Sequence, residues 1–203
     1  MEPALNIRLL GDFRLDHDGI PITGISTPRL QSLLAYLLLH RDAPQSRAHR
    51  AYVFWPDSTD AQARSNLRTL LHRLRRALPG DATFLVVDAQ TVQWHPDAPT
   101  TVDLIAFEEA LAQAEDADDA IARQALEQAA SFYGGDLLPS CYDDWILPHR
   151  ERLRQAHLRA LERLVQILED RRDYDAAIGH ARAILRLDPL HEAATRRLMH
   201  LHA

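Results

Sequence analysis

A mixed α+β domain followed by an all-α domain is the fold class that this 203-residue sequence predicts. Three observations carry the prediction. Apolar and polar residues alternate with period two at the start of the chain and again near residue 90, and the stretch between them has the period of amphipathic helices. From Val102 onward the strand-like pattern stops and Ala, Leu, Glu and Arg dominate. The tract His95-Pro96-Asp97-Ala98-Pro99, rich in proline and without periodicity, lies between the two regimes, so the domains are read as 1–98 and 99–203.

In the first domain, Leu5-Asn6-Ile7-Arg8-Leu9 and Phe13-Arg14-Leu15 alternate as strands do, and Asp18-Gly19 suits a tight hairpin before Ile20-Pro21-Ile22. A small antiparallel sheet is expected. Ser26-Thr27-Pro28 caps and starts a helix whose Leu30, Leu33, Leu34, Leu37 and Leu38 fall on one face, which should be the buried one. Pro44 interrupts, Ser46 caps a second short helix, and Trp55-Pro56 ends it, because the residue before proline is driven out of the α region. A third helix begins near Ser58 or Thr59 and stops at Pro79-Gly80. Phe84-Leu85-Val86-Val87 and Thr91-Val92-Gln93-Trp94 then read as strands around Asp88-Ala89-Gln90. Sheet, three helices and hairpin, in that order, make a winged helix-turn-helix domain.

The second domain reads as helices at 103–115, 118–132, 144–171, 174–187 and 191–203, with Gly134-Gly135-Asp136 and Leu138-Pro139 breaking the run. Leu161, Leu164, Tyr174, Ala177 and Asp188-Pro189 fall where a tetratricopeptide unit places its packing residues and closing proline. Ala181 stands where that repeat has a larger apolar residue, and Arg172-Asp173 replaces its glycine-type turn. The all-α domain is therefore read as tetratricopeptide-like. Since a helical repeat needs neighbours to bury its face, the array is expected to continue past Ala203 or to be covered by another chain.

The formal net charge of −6 hides an asymmetry: residues 1–100 carry 11 Arg against 10 acidic residues, and residues 101–203 carry 12 against 19. Within the first half, Arg47, Arg50, Arg64, Arg68, Arg73, Arg75 and Arg76 face only Asp57 and Asp60 across their stretch. Every cation is Arg and none is Lys, which fits bidentate recognition of phosphate and guanine, but a GC-rich genome gives the same pattern and is the favoured reading of it. On the third helix Leu67, Leu70, Leu71, Leu74 and Leu78 share one side. Ser65, Thr69, His72 and Arg76 point the other way, flanked by Arg68 and Arg73, with Arg75 in the same basic run. A solvated charged face has this composition too. The preceding short helix and following hairpin favour a reader helix in the major groove of double-stranded DNA. Arg47 and Arg50 are then expected beside phosphates, and Gln90 and Thr91 at the hairpin tip beside the backbone or minor groove.

Other chemistries find little support. Cys141 is alone, Met1-Glu2-Pro3 opens no signal peptide, and no apolar run reaches the ~20 residues of a membrane span, so a cytoplasmic protein is expected. The 11 histidines lack metal-ligand spacing, and no phosphate-cradling or nucleophile-elbow motif is present. Asp143-Asp144 with Glu151 reads as the acidic start of a helix rather than a catalytic pair. No enzyme, metal or cofactor is expected.

The segments Phe54-Trp55-Pro56-Asp57-Ser58, Ala63-Arg64-Ser65-Asn66-Leu67-Arg68 and Leu71-His72-Arg73-Leu74-Arg75-Arg76-Ala77-Leu78 resemble the DNA-binding domain of antibiotic-regulatory-protein-type activators. Val102-Asp103-Leu104, Phe132-Tyr133-Gly134-Gly135-Asp136-Leu137-Leu138, Asp144-Trp145-Ile146 and Arg150-Glu151-Arg152-Leu153 resemble the bacterial transcriptional activation domain that follows in that family. The resemblance implies an OmpR-type winged helix, a dimer on direct-repeat promoter sites, and recruitment of RNA polymerase. It makes Trp55-Pro56-Asp57 a candidate polymerase contact, while His72 departs from the residues usual at its position, so no base preference carries over. Two other readings stay open: the output module of a larger signalling ATPase, and a protein-interaction scaffold that no longer binds DNA.

Overall fold

The computed structural model of the protein describes residues 5–80 and 84–201. The N-terminal reading at Met1-Glu2-Pro3 and the last two residues of the expected helix 191–203 lie outside them. The chain divides into two compact units: one runs to Val102 and takes in Leu137–Leu147, and the other holds Asp103–Asp136 and the described chain from Pro148 onward.

The first unit opens with an antiparallel meander of β1 (Leu5–Arg8), β2 (Arg14–His17) and β3 (Ile20–Pro21). Asp18 and Gly19 turn the chain with φ of 53° and 78°, the left-handed pair that a two-residue hairpin of this twist requires. The Asp16 carboxylate accepts from the Gly19 amide at 3.2 Å and from the Asn6 side chain at 2.9 Å, which pins that turn to β1.

Helix α1 (Pro28–Leu39) starts behind Thr27 with proline in its first turn. Leu30, Leu33, Leu34, Leu37 and Leu38 are buried as expected, but Ser32, Ala35 and Tyr36 are buried too, so α1 is enclosed on more than the one face anticipated. The returning segment 137–147 supplies the extra cover. The Asp143 carboxylate accepts from Arg29 Nη1 and from Ser32 Oγ, each at 2.6 Å, and the Trp145 ring meets Tyr36 edge-on at 5.0 Å. Leu137, Leu138, Cys141 and Ile146 are buried, and the Leu138 amide donates to the Leu9 carbonyl at 2.9 Å.

Next come β4 (Gln45–Ser46), α2 (Arg47–Phe54) and α3 (Asp60–Ala77). Ser46 caps α2 by accepting from the His49 amide, and Thr59 caps α3 by accepting from the Gln62 amide, each at 3.4 Å. The hairpin of β5 (Leu85–Val87) and β6 (Thr91–Trp94) pairs with β4 in a second sheet, ordered β4-β6-β5. The tract 95–99, read from sequence as a linker with a division at 98/99, is a turn closed by the Ala98 amide on the His95 carbonyl at 3.1 Å. It delivers β7 (Thr100–Val102) parallel to β1, so that the first sheet runs β3-β2-β1-β7.

The second unit contains α4 (Asp103–Glu115), α5 (Asp119–Phe132), α6 (Leu147–Asp170, shared at its first residue), α7 (Tyr174–Leu187) and α8 (Glu192–Leu201). Ala122, Ala177 and Ala181 are fully buried among Leu161, Leu164, Val165 and Leu168. Small side chains at these contacts let the helix backbones approach closely, which accounts for Ala181 where a larger residue was expected. Arg172 turns α6 into α7 at φ 60°, its amide donating to the Glu169 carbonyl and the Asp173 amide to the Leu168 carbonyl, both at 2.9 Å. A side chain in the left-handed region is unfavourable there, so Arg172→Gly should stabilise the protein by about 1 kcal/mol, read as a raised thermal midpoint.

His157 of α6 is 6% exposed and stacks on Tyr133 at 4.1 Å. Burial, reinforced by His180, pushes its pKa down to about 4. The unfolded chain therefore binds a proton between about pH 6.5 and pH 4 that the native state refuses, so stability present above that window is lost as pH falls through it. His157→Phe should flatten this acid limb by about 3 kcal/mol, measured as urea unfolding free energy against pH.

Candidate nucleic-acid interface

Helix α3 sorts its side chains by period. Ala63, Leu67, Leu70, Leu71 and Leu74 are at most 5% exposed, and Ser65, Arg68, Thr69, His72, Arg73, Arg75 and Arg76 stand on the exposed side. Arg64 is exposed with them. Among the described residues none of these arginines forms an ion pair, although Arg75 and Arg76, in the last turn, also oppose the helix dipole. A row of unpaired guanidinium groups on a rigid helix attracts anions and offers planar forks to phosphate or guanine.

The capped start of α2 and the β5–β6 turn bound this face. A groove of about 380 Å³ is lined by Ser46, Ala48, Arg64, Arg68 and Gln90, and a second of about 490 Å³ by Arg68, His72, Arg75, Arg76 and Val87; both also touch Arg47. The Arg47 amide donates to the Gln90 carbonyl at 2.8 Å, and its Nη1 donates to the Asp88 carbonyl at 2.5 Å. Arg47 thus ties the start of α2 to the hairpin turn. The Asp88 carboxylate accepts from the Thr91 amide at 2.6 Å, the Thr91 hydroxyl at 2.8 Å and the Gln90 amide at 2.7 Å. These bonds, led by the Thr91 amide, hold its carboxyl below the usual carboxylate range.

Of the positions singled out by sequence, Arg47, Arg68, His72, Arg75, Arg76 and Gln90 converge on the two grooves. Ser65, Thr69 and Arg73 are exposed on α3 outside them, and the Thr69 hydroxyl donates to the Ser65 carbonyl at 3.1 Å. Two further residues are engaged within the fold. The Thr91 side chain closes the turn, and the half-buried Arg50 guanidinium lies 4.7 Å from the Tyr36 ring centre, its pKa lowered by burial. In the loop before α3, Trp55 is half-buried with the Arg29 guanidinium 5.5 Å from its ring, and Pro56 and Asp57 are exposed. Arg64 was not among the predicted contacts. Its position one helical turn before Arg68 was the available signal.

Among the described residues no group of three or more His, Cys, Asp or Glu side chains is placed to hold a metal ion, and no helix is long and apolar enough to cross a membrane.

Residues 102–202 match the family described as the bacterial transcriptional activator domain. A comparison with curated proteins gives no match. The fold is similar to that of Mycobacterium tuberculosis EmbR, solved in complex with a low affinity phosphopeptide, with a TM-score of 0.80 and 21% sequence identity. The match covers 99% of this chain and 55% of that one, so the chain spans about half the length of the structure it resembles.

Proposed function

We propose that this chain, whose residues 102–202 match the bacterial transcriptional activator domain, is a sequence-specific DNA-binding transcription regulator that acts as an activator. In this reading α2, α3 and the β5–β6 hairpin form a winged helix-turn-helix of OmpR type, and the second unit is a tetratricopeptide-like activation domain. The observation that carries it is the row of unpaired arginines on α3, bounded by the start of α2 and the hairpin turn. Helix α3 enters the major groove. Arg64, Arg68, Arg75 and Arg76 meet phosphates, while Thr69, His72 and Arg73 face base edges. Arg47 acts chiefly by holding the hairpin against α2, and Gln90 reaches the backbone from the turn.

The protein binds direct repeats as a dimer and recruits RNA polymerase, for which the exposed Pro56 and Asp57 beside Trp55 are the proposed contact. The test is titration of the chain onto labelled duplex DNA at several salt concentrations, followed by the same titration with Arg73→Ala. Binding that weakens as salt rises is expected. Arg73→Ala should cost about 1–3 kcal/mol on a preferred site and relax preference there. An unchanged curve removes Arg73 from base reading, and no binding of the parent chain at low salt leaves the protein-interaction scaffold as the better account.

A further inference from the structure

The second unit holds a crevice of about 550 Å³ between α5, α6 and α7, within the ~300–1,000 Å³ that small-molecule sites occupy. Its walls are largely apolar, from Ala130, Leu161, Ala183 and the Tyr133 ring. Two polar features there lack a polar partner among the described residues. The His157 ring lines the crevice, its Nδ1 is buried without a hydrogen-bond partner, and no bond to the ring is present among the described residues. The pKa near 4 leaves it neutral at physiological pH, with one nitrogen donating and the other accepting. A buried imidazole nitrogen without a hydrogen-bond partner is uncommon in folded proteins and calls for a group that satisfies it.

The second feature is charge. Arg186, in the last turn of α7, lines the crevice and has no ion pair among the described residues. Glu127, also at the crevice, is already neutralised by Arg123 at 2.8 Å, and burial lowers the pKa of His180 beside it. The uncompensated charge is therefore positive.

We infer that this crevice is a binding site for a small organic acid with an apolar body and a hydroxyl or carbonyl group. Its carboxylate pairs with Arg186, its body lies on Tyr133 and Leu161, and its hydroxyl or carbonyl meets the His157 imidazole. The site is independent of the DNA-binding reading, since every group in it belongs to the second unit.

The probe is phenyllactate, titrated into the full chain while the NMR signals of the Tyr133 and His157 rings are followed, with phenethylamine as the cationic control. Saturable shifts of both rings are expected, with a Kd on the order of 1 mM or tighter. The amine should bind at least about tenfold more weakly, and the exposed substitution Arg186→Glu should weaken phenyllactate by about tenfold. Ala183→Phe, which fills the crevice, should abolish the shifts in a chain whose circular dichroism is unchanged. Absence of saturable shifts in the parent chain, equal binding of amine and acid, or unaltered affinity in Arg186→Glu would each overturn the inference.

Discussion

Replacing Arg64, Arg68, Arg75 and Arg76 together by alanine should abolish duplex binding at about 0.15 M salt while leaving the fold intact. All four side chains are exposed and unpaired among the described residues, so their removal opens no cavity and strands no buried carboxylate. Alanine is a better helix former than arginine, which offsets part of the lost dipole compensation at the end of α3. Each phosphate contact releases counterions and contributes about 0.9 to the slope of log affinity against log salt, so losing four of them should reduce that slope by about 3.6. At low salt the affinity should fall on the order of a hundredfold or more. Fluorescence anisotropy across a salt series reads both quantities. A variant that keeps the parental slope would place the phosphate contacts elsewhere on the molecule.

The second large effect concerns the segment 137–147. Asp143→Ala should destabilise the first unit by about 2–3 kcal/mol, because Ser32, 1% exposed, loses the acceptor of its hydroxyl and Arg29 loses its carboxylate. Trp145→Ala should cost a similar amount by removing the ring packed against Tyr36 and Phe54. A chain ending at Val102 lacks all of these groups together with Leu137, Leu138 and Ile146, and should fail to unfold cooperatively. Urea titrations followed by far-ultraviolet circular dichroism check the series. Parental midpoints in both point variants, with a sharp transition for the shortened chain, would mean that α1 is held without this segment.

The legible parts of the fold were those with local causes. Caps at Ser46 and Thr59, the turn at Asp18-Gly19 and the helical period of the second unit each act within a few residues. Helices expected at 103–115 and 174–187 accordingly stand at Asp103–Glu115 and Tyr174–Leu187. What sequence could not show depended on distant partners. Thr100-Thr101-Val102 is too short for a period and is a strand because β1 lies beside it. Asp143 reads locally as the acidic start of a helix, and its binding of Arg29 and Ser32 spans more than 100 residues. The same division runs through the candidate interface. The sorting of α3 into a leucine face and an arginine face follows from its period. The capture of Arg50 by Tyr36 and of Thr91 by Asp88 does not, because each needs a neighbour that tertiary structure or a turn supplies.

The central claim is that α3 reads DNA sequence, and selection of duplexes from a random pool by the full chain, repeated across a salt series, tests it most directly. The account predicts enrichment of a repeated motif whose affinity falls as salt rises. Recovery of an unenriched pool, or no retained duplex at the lowest salt, would contradict it.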